Sequence, residues 1–394
     1  MTPKSVRVTG WGMYAPERRL TNADLERVVD TSDEWIVSRT GIRERRIAAR
    51  HETTATLAAI AGKRAIAVAG LEPDDIDVIL VATLTPDYWM PSTGALVKEA
   101  IGNTRAAAMD VSAACSGLVY GYSIADAYLR TGMFKNALVV GSEVLSRYLD
   151  FSDRGTCILF GDGAGAVVLS ASDEEGGGMQ GVELTTDPDG AYMIWLPSGG
   201  SRSPATGQTL ARGEHYIRME GRETYRYATK TMATTALKAI ERAGWKPEDI
   251  DLFIPHQANV RIIESVAKGL GLPMDKMFVN LDRYGNTSAA SVGLALAEAV
   301  DSGRIQIGDK IVLVAFGAGL TSGAIALEWT ADPLCGRRAD SVEPVASVRE
   351  PVDWASVDPI PERLRQVLER EGPPVTVDDV APGEPEPARH EMPV

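Results

Sequence analysis

Residues 69–77 read Ala69-Gly70-Leu71-Glu72-Pro73-Asp74-Asp75-Ile76-Asp77, and the pattern returns as Ala243-Gly244-Trp245-Lys246-Pro247-Glu248-Asp249-Ile250-Asp251, 174 positions later. Each copy follows a stretch of helical periodicity and precedes a short apolar strand, 78–82 in the first and 252–255 in the second. A second match lies downstream. Ser112-Ala113-Ala114-Cys115-Ser116-Gly117-Leu118 pairs with Ser288-Ala289-Ala290-Ser291-Val292-Gly293-Leu294 at an offset of 176. Each copy then runs through a helix into a strand, 137–141 and 311–315. Two matches at nearly one offset imply an internal duplication, with halves at about 1–172 and 173–330, each alternating strand and helix. Near-continuous apolar strands between helices imply an α/β protein whose sheets are covered on both faces.

The remaining 331–394 differ in character. They hold 11 of the 22 prolines and 14 acidic against 7 basic residues, half of the chain's net charge of −14. This reads as an acidic, proline-rich extension outside the main core. Within it PERLRQVLERE (361–371) places Leu364, Val367 and Leu368 at helical spacing, so a short amphipathic helix is expected there. It serves either as part of a solubilising tail or as an arm that docks on the body or on a partner.

Composition narrows the function. With 394 residues and 44% hydrophobic content the chain folds without staples, and three cysteines (Cys115, Cys157, Cys335) do not make a disulfide framework. The four histidines show no zinc-ligand spacing with cysteine. The excess of Asp and Glu speaks against nucleic acid or an anionic membrane as the main partner. The start MTPKSVRVTG has no apolar core of a signal peptide, and the longest apolar runs are too short to span a bilayer, so a cytoplasmic protein is expected.

Three residues stand out for chemistry. Cys115 sits where an apolar strand ends, small residues allow a tight turn and a helix begins; unpaired N–H groups at a helix start favour a thiolate. Cys157, read as lying inside an apolar strand, and Cys335, in the extension, lack that setting. His256 ends the strand of the second repeat, at the carboxyl edge where α/β folds place their sites. Asn286 lies in Tyr284-Gly285-Asn286-Thr287-Ser288, a turn before the helix equivalent to that of Cys115. If the halves pair about a pseudo-twofold, Cys115 and Asn286 face one cleft with His256 between them. Gly161-Asp162-Gly163-Ala164-Gly165-Ala166 is not a dinucleotide loop, because a strand follows where that fingerprint needs a helix. In Phe316-Gly317-Ala318-Gly319-Leu320, glycine lets backbone N–H groups approach a ligand oxygen.

The stretches TNADLERVVDTSDEWIVSRTGIRERRIA, DVSAACSGLVY, DRGTCILFGDGAGAVVL, PHQANVRII, LDRYGNTSAAS and AFGAGLTSGA, in that order between about Val6 and Trp329, resemble the β-ketoacyl-acyl-carrier-protein synthase III family. The resemblance implies a thiolase-like fold, layered α-β-α-β-α, with two halves about a pseudo-twofold. It implies Cys115 as nucleophile, His256 and Asn286 as partners, and an oxyanion hole made by the N–H groups of Cys115 and Ala318. Trp35, Arg39 and Arg154 would hold the adenine end of coenzyme A, Asn259 would steady the site, and Tyr225 would line the pantetheine tunnel. Arg261, with Arg226 and Lys268, would meet an acyl carrier protein. Met90 would reach across a homodimer to cap the partner's acyl pocket. No cofactor is implied, because coenzyme A thioesters are the substrates.

The chemistry expected is decarboxylative Claisen condensation of an acyl-CoA with malonyl-acyl carrier protein, in fatty-acid initiation or a secondary-metabolite pathway. Decarboxylation makes the carbon nucleophile, so an amide suffices as third member. Transfer of the acyl group to an alcohol or amine would need a base, and an acidic residue in place of Asn286 would suit it better. A non-catalytic scaffold would lack the nucleophile. Ser322 stands where the family commonly has Trp, and Gly293 where it often has Pro, which points to a specialised relative.

Overall fold

A computed structural model of the chain describes residues 3–332 and 361–368. In chain order the first half holds β1 (Ser5–Tyr14), β2 (Arg19–Thr21), α1 (Asn22–Leu25), α2 (Asp33–Thr40), β3 (Glu44–Arg46), α3 (Thr54–Ala69), β4 (Val78–Ala82), α4 (Thr93–Ile101), β5 (Ala107–Val111), α5 (Gly117–Arg130), β6 (Asn136–Glu143), α6 (Arg154–Cys157) and β7 (Gly163–Ser172). The second holds β8 (Gly178–Thr186), β9 (Ile194–Trp195), α7 (Gly207–Ala211), β10 (Arg218–Met219), α8 (Gly221–Arg242), β11 (Leu252–Pro255), α9 (Val260–Leu270), α10 (Leu281–Tyr284), α11 (Ser291–Asp301), β12 (Lys310–Gly317) and β13 (Thr321–Glu328). Then comes α12 (Glu362–Leu368), where periodicity predicts a helix. Cys335 and the other residues of the extension lie outside the described residues.

Five of the nine positions of the repeated nonapeptide have a shared local task. Gly70 and Gly244 follow α3 and α8 in the left-handed conformation, with φ of 69° and 73°. Pro73 and Pro247 open short 3-10 turns. Asp75 and Asp249 accept the N–H of Glu72 and Lys246 at 2.9 and 2.8 Å. Ile76 and Ile250 are buried. Asp77 and Asp251 accept the N–H of Lys135 and Lys310 at 2.8 and 2.9 Å, which ties each copy to the start of the next sheet strand.

The two sheets carry the same order. The first runs β1-β7-β6-β4-β5, with β4 parallel to β5 and β6, and β7 antiparallel to β1 and β6. The second runs β8-β13-β12-β11, with β11 parallel to β12 and β13 antiparallel to both neighbours. Phe253 makes a further parallel bridge to Met277, where a counterpart of β5 would lie. Helix α3 covers the outer face of the first sheet and α8, with α9, that of the second; α5 and α11 pack between the sheets. The result is the expected α-β-α-β-α layering. The β4 strand VILVA is buried throughout because it has helices on both faces. No helix among the described residues is long and apolar enough to cross a membrane.

One register differs from expectation. Ala114 and Ser288 are the non-glycine residues with positive φ among those described, both at 49°, and they lie 174 positions apart, as in the first repeat. Identity of the small residues draws the sequence alignment two positions away from the backbone equivalence. The backbone counterpart of Cys115 is therefore Ala289, and that of Asn286 is Ser112. A second difference concerns Cys157, which closes the short helix α6 rather than lying in a strand; it remains buried.

The middle layer interlocks the halves. A Cβ on Gly165 of β7 would stand 2.3 Å from the backbone carbon of Gly293 on α11, and a Cβ on Gly141 of β6 would stand 2.1 Å from Ala289 O. Glycine at Gly293 thus lets α11 press onto the opposite sheet.

Candidate active site

The carboxyl ends of β5, β11 and β12 deliver the chemistry. After β5 the chain makes a tight turn at Ala114–Ser116 and enters α5, leaving Cys115 8% exposed at the floor of a cavity of about 180 Å³. Ser116 Oγ donates to Thr321 Oγ1 at 2.6 Å, fastening the turn to β13. Cys115, His256, Asn286, Asn259, Tyr225 and Ala318 all line this one cavity, together with apolar residues such as Leu145, Phe160, Trp195 and Phe316.

The protonation state of Cys115 departs from the sequence expectation. Burial pushes its thiol up to about 12; Ser288 opposes the shift and the nearby Glu143 adds to it. The resting group is a thiol, because loss of water around a buried anion outweighs the favourable end of the helix.

His256 follows β11 and is 3% exposed. Its Nδ1 lies 2.6 Å from Ser291 Oγ, at the start of α11. Burial brings its pKa down to about 3, so the ring is neutral at any working pH. Asn286 is held by its backbone: its N–H donates to Leu159 O at 2.8 Å, and its carbonyl accepts from Gly161 N at 3.0 Å. Its side-chain Oδ1 accepts the N–H of Ser288 at 2.9 Å. With that oxygen engaged, the amide presents its NH2 to the cavity.

Glu143, at the end of β6, is a buried carboxylate beside the site that sequence reasoning missed. It accepts from Thr85 Oγ1 at 2.6 Å, Thr83 Oγ1 at 3.2 Å, the N–H groups of Leu84 and Thr85 at 3.1 Å, and Ser288 Oγ at 3.2 Å. Burial still pushes it up to about 7. Its oxygens are saturated with donors, so it serves to hold the 83–85 loop and Ser288. Ser288 and Ser291 were also missed as partners, although both lie within the LDRYGNTSAAS stretch. Glycine at Gly317 has a clear reason: a Cβ there would lie 2.5 Å from Cys115 N, so only glycine lets the Gly317–Ala318 backbone approach the nucleophile.

The other expected residues sort by position. Arg154 and Arg39 hold their guanidinium carbons 4.6 and 5.9 Å from the Trp35 ring centroid, a cationic and aromatic cluster on α2 and α6. Arg154 also donates to Asp30 O at 2.7 Å. Asn259 caps α9 by accepting from Arg261 N at 2.9 Å and donates to Arg39 O at 3.0 Å, which links this cluster to the cavity. Arg226 on α8 and Arg261 and Lys268 on α9 are exposed on helices packed together. Met90 is 83% exposed and does not line this chain's cavity. Ser322 is buried, bonded to Thr235 Oγ1 at 2.9 Å and donating to Ala315 O at 3.2 Å, which satisfies its hydroxyl.

Comparison with known proteins agrees with this geometry. The family model described as 3-oxoacyl-[acyl-carrier-protein (ACP)] synthase III matches residues 109–188, and the model of its C-terminal part matches residues 240–329. The chain is 52% identical over 329 residues to the beta-ketoacyl-[acyl-carrier-protein] synthase III of Symbiobacterium thermophilum, covering 84% of this chain and 99% of that one. Among solved structures it resembles 3-oxoacyl-[acyl-carrier-protein] synthase III from Aquifex aeolicus VF5 (TM-score 0.76, 44% identity, 82% of this chain and 100% of that one). It also resembles the priming beta-ketosynthase from the R1128 polyketide biosynthetic pathway (TM-score 0.77, 35% identity, 84% of this chain and 98% of that one). The match to the family models stops at residue 329, short of α12.

Proposed function

The chain belongs to the 3-oxoacyl-[acyl-carrier-protein] synthase III family, and we propose from that premise that it joins an acyl-CoA to a malonyl thioester on acyl carrier protein by decarboxylative Claisen condensation. Cys115 attacks the acyl carbonyl, and the oxygen that becomes negative is met by the N–H groups of Cys115 and Ala318. The acyl group passes to sulfur, and the thiol proton of Cys115 ends on the departing coenzyme A sulfur. The anion at Cys115 is transient, as the acyl group arrives and again as it leaves, in keeping with a resting thiol.

In the second half-reaction His256 acts as the tautomer protonated on Nε2, for which Ser291 Oγ, 2.6 Å from Nδ1, serves as the donor to the other ring nitrogen. That N–H and the NH2 of Asn286 donate to the malonyl thioester oxygen. As carbon dioxide leaves, its bonding electrons form the enolate that they stabilise, and the carbon attacks the acyl-Cys115 carbonyl; the acyl C–S bond then breaks, the 3-oxoacyl group leaves on the carrier thioester, and the Cys115 sulfur departs as a thiolate that takes a proton from solvent. The observation that carries this reading is the anchored amide of Asn286: with Oδ1 bound to Ser288 N–H, the group faces the cavity as a donor and not as a base. The thioesters and these side chains supply every step, so no further cofactor enters.

The exposed edge strand β5 with Met109, and the exposed Trp89 and Met90 near it, support a homodimer in which Met90 caps the partner's acyl pocket. Trp35, Arg39 and Arg154 hold the nucleotide of coenzyme A, Tyr225 lines the pantetheine path, and Arg226, Arg261 and Lys268 receive the carrier protein.

His256→Ala and Asn286→Ala test the reading. Each should leave acylation of Cys115 by acyl-CoA largely intact, measured by intact mass, and cut carbon dioxide release from a malonyl thioester by about 100- to 1,000-fold, the scale of one lost oxyanion donor. Equal loss of both half-reactions, or an unmodified protein that never decarboxylates malonyl thioester, would remove these roles.

A further inference from the structure

Helix α12 lies beyond the residues matched by the family models, yet it is docked beside the nucleotide cluster. Leu364 is fully buried. It belongs to the apolar cluster that contains Val28, Trp35, Leu149, Phe151 and Ile217. Two of these neighbours matter for substrate. Trp35 carries the guanidinium groups of Arg39 and Arg154, and Ile217 lines the catalytic cavity. Leu364 therefore belongs to an apolar cluster that reaches from Trp35, on the side of the cationic residues, to Ile217, on the side of the cavity. Arg363, the preceding residue, stands close enough to Tyr216 for its charge to act on that phenol. Within the helix, Arg365 pairs with Glu362 at 2.8 Å.

We propose that α12 is part of the binding site for the nucleotide end of the acyl-CoA, with Leu364 as its anchor and Arg363 adding a third guanidinium to those of Arg39 and Arg154 for the coenzyme's phosphates. The proposal rests on the assignment of Trp35, Arg39 and Arg154 to coenzyme A. A chain of net charge −14 must gather cations locally to hold a polyanionic nucleotide. Guanidinium groups suit phosphate because they present planar, paired donors. The second substrate arrives on a carrier protein and brings no nucleotide into this place. Helix α12 thus separates the two substrates that share one channel: it improves capture of the CoA thioester and is indifferent to the pantetheine arm common to both.

The test uses the full-length chain and the acylation half-reaction alone. Initial rates of Cys115 acylation are measured by intact mass, with one acyl group carried either on coenzyme A or on pantetheine. Leu364→Asp, which undocks the helix, and Arg363→Glu should each raise the half-saturating concentration of acyl-CoA about fivefold relative to acyl-pantetheine, the scale of losing the Arg363 contact, with the acylation rate at saturation unchanged. Trp35→Ala and Arg154→Ala are run in parallel. If they discriminate between the two donors and the α12 variants do not, the role of α12 is overturned and the nucleotide assignment stands. If no variant discriminates, both fall. In the unmodified protein, coenzyme A should slow amide hydrogen exchange in 361–368, and pantetheine should not. Equal exchange with and without coenzyme A would overturn the proposal independently of any variant.

Discussion

The ionisation of His256 offers the sharpest physical test of the site. An ordinary imidazole titrates near 6.5, and burial brings His256 down to about 3. The difference of roughly 3.5 pH units corresponds to about 5 kcal/mol at 1.36 kcal/mol per unit. Between those values the unfolded chain binds a proton that the folded chain refuses, so this residue contributes full stability above pH 6.5 and loses it as pH falls toward 3. By pH 5 the loss is about 2 kcal/mol. Glu143 runs the other way: its pKa is raised to about 7, so its contribution is present at low pH and declines as pH rises from about 4.5 to 7. Comparing the unmodified protein with His256→Gln cancels that term. Urea unfolding at steps from pH 8 to pH 5 should show the unmodified protein losing about 2 kcal/mol more than His256→Gln. The ring C–H resonance missing from the His256→Gln spectrum should not shift in the unmodified protein across the same range. A midpoint between 6 and 7 for that resonance would refute a neutral, desolvated donor, and with it the account of decarboxylation given above.

Further outcomes follow from other features. Because burial holds the Cys115 thiol near 12, its alkylation by iodoacetamide, followed by peptide mass, should be slow at pH 7 and rise about tenfold per pH unit through pH 9; a rate already level at pH 7.5 would mean a resting thiolate. Gly165→Ala drives a methyl group into the backbone of Gly293 and should cost about 1–3 kcal/mol or more in urea unfolding, whereas an unchanged midpoint would mean that α11 and β7 are free to move apart. Arg261→Glu should raise the KM for carrier-bound malonyl substrate more than for the same group on pantetheine, with the difference shrinking as salt screens exposed charges over about 8–10 Å; equal, salt-independent effects would move Arg261 out of carrier recognition.

The duplication was legible because five positions of the repeat are each fixed by their own neighbourhood. The recurrence of the nonapeptide and the unbroken apolar runs of β4 and β11 were read from sequence, and the structure explains them by the left-handed φ of Gly70 and Gly244 and the turns that Asp75 and Asp249 close. That Cys115, His256 and Asn286 line one cavity was legible from strand and helix ends and from the motifs around them. What stayed hidden arises across the chain. The 174-residue register of the Ser112–Leu118 match is fixed by the positive φ of Ala114 and Ser288, whereas identity among small residues favours a register two positions away. The bond between Ser291 and His256 joins residues 35 apart, and that between Glu143 and Ser288 joins residues 145 apart, and no local pattern announces either. The state of the Cys115 thiol depends on how much water remains around it, which the turn sequence does not encode. Cys157 was misread because a helix of four residues is too short to show a period.

The backbone-to-backbone contact of Gly165 with Gly293 also governs how substrates can reach the chemistry. Cys115 comes from one half, and His256 and Asn286 from the other, so an enzyme with a hinge between its halves would expose the site by swinging them apart. Here the two sheets grip a common pair of helices, main chain meets main chain at Gly165 and Gly293, and a hinge motion would have to pull those close-packed segments apart. Access is therefore lengthwise. A substrate must present its reactive carbonyl at the end of a slender arm, and the first leaving group must back out along the same path before a second arm can enter. The fixed geometry of the duplicated core thus imposes an order on the reaction: one thioester at a time, with the acyl group parked on sulfur in the interval.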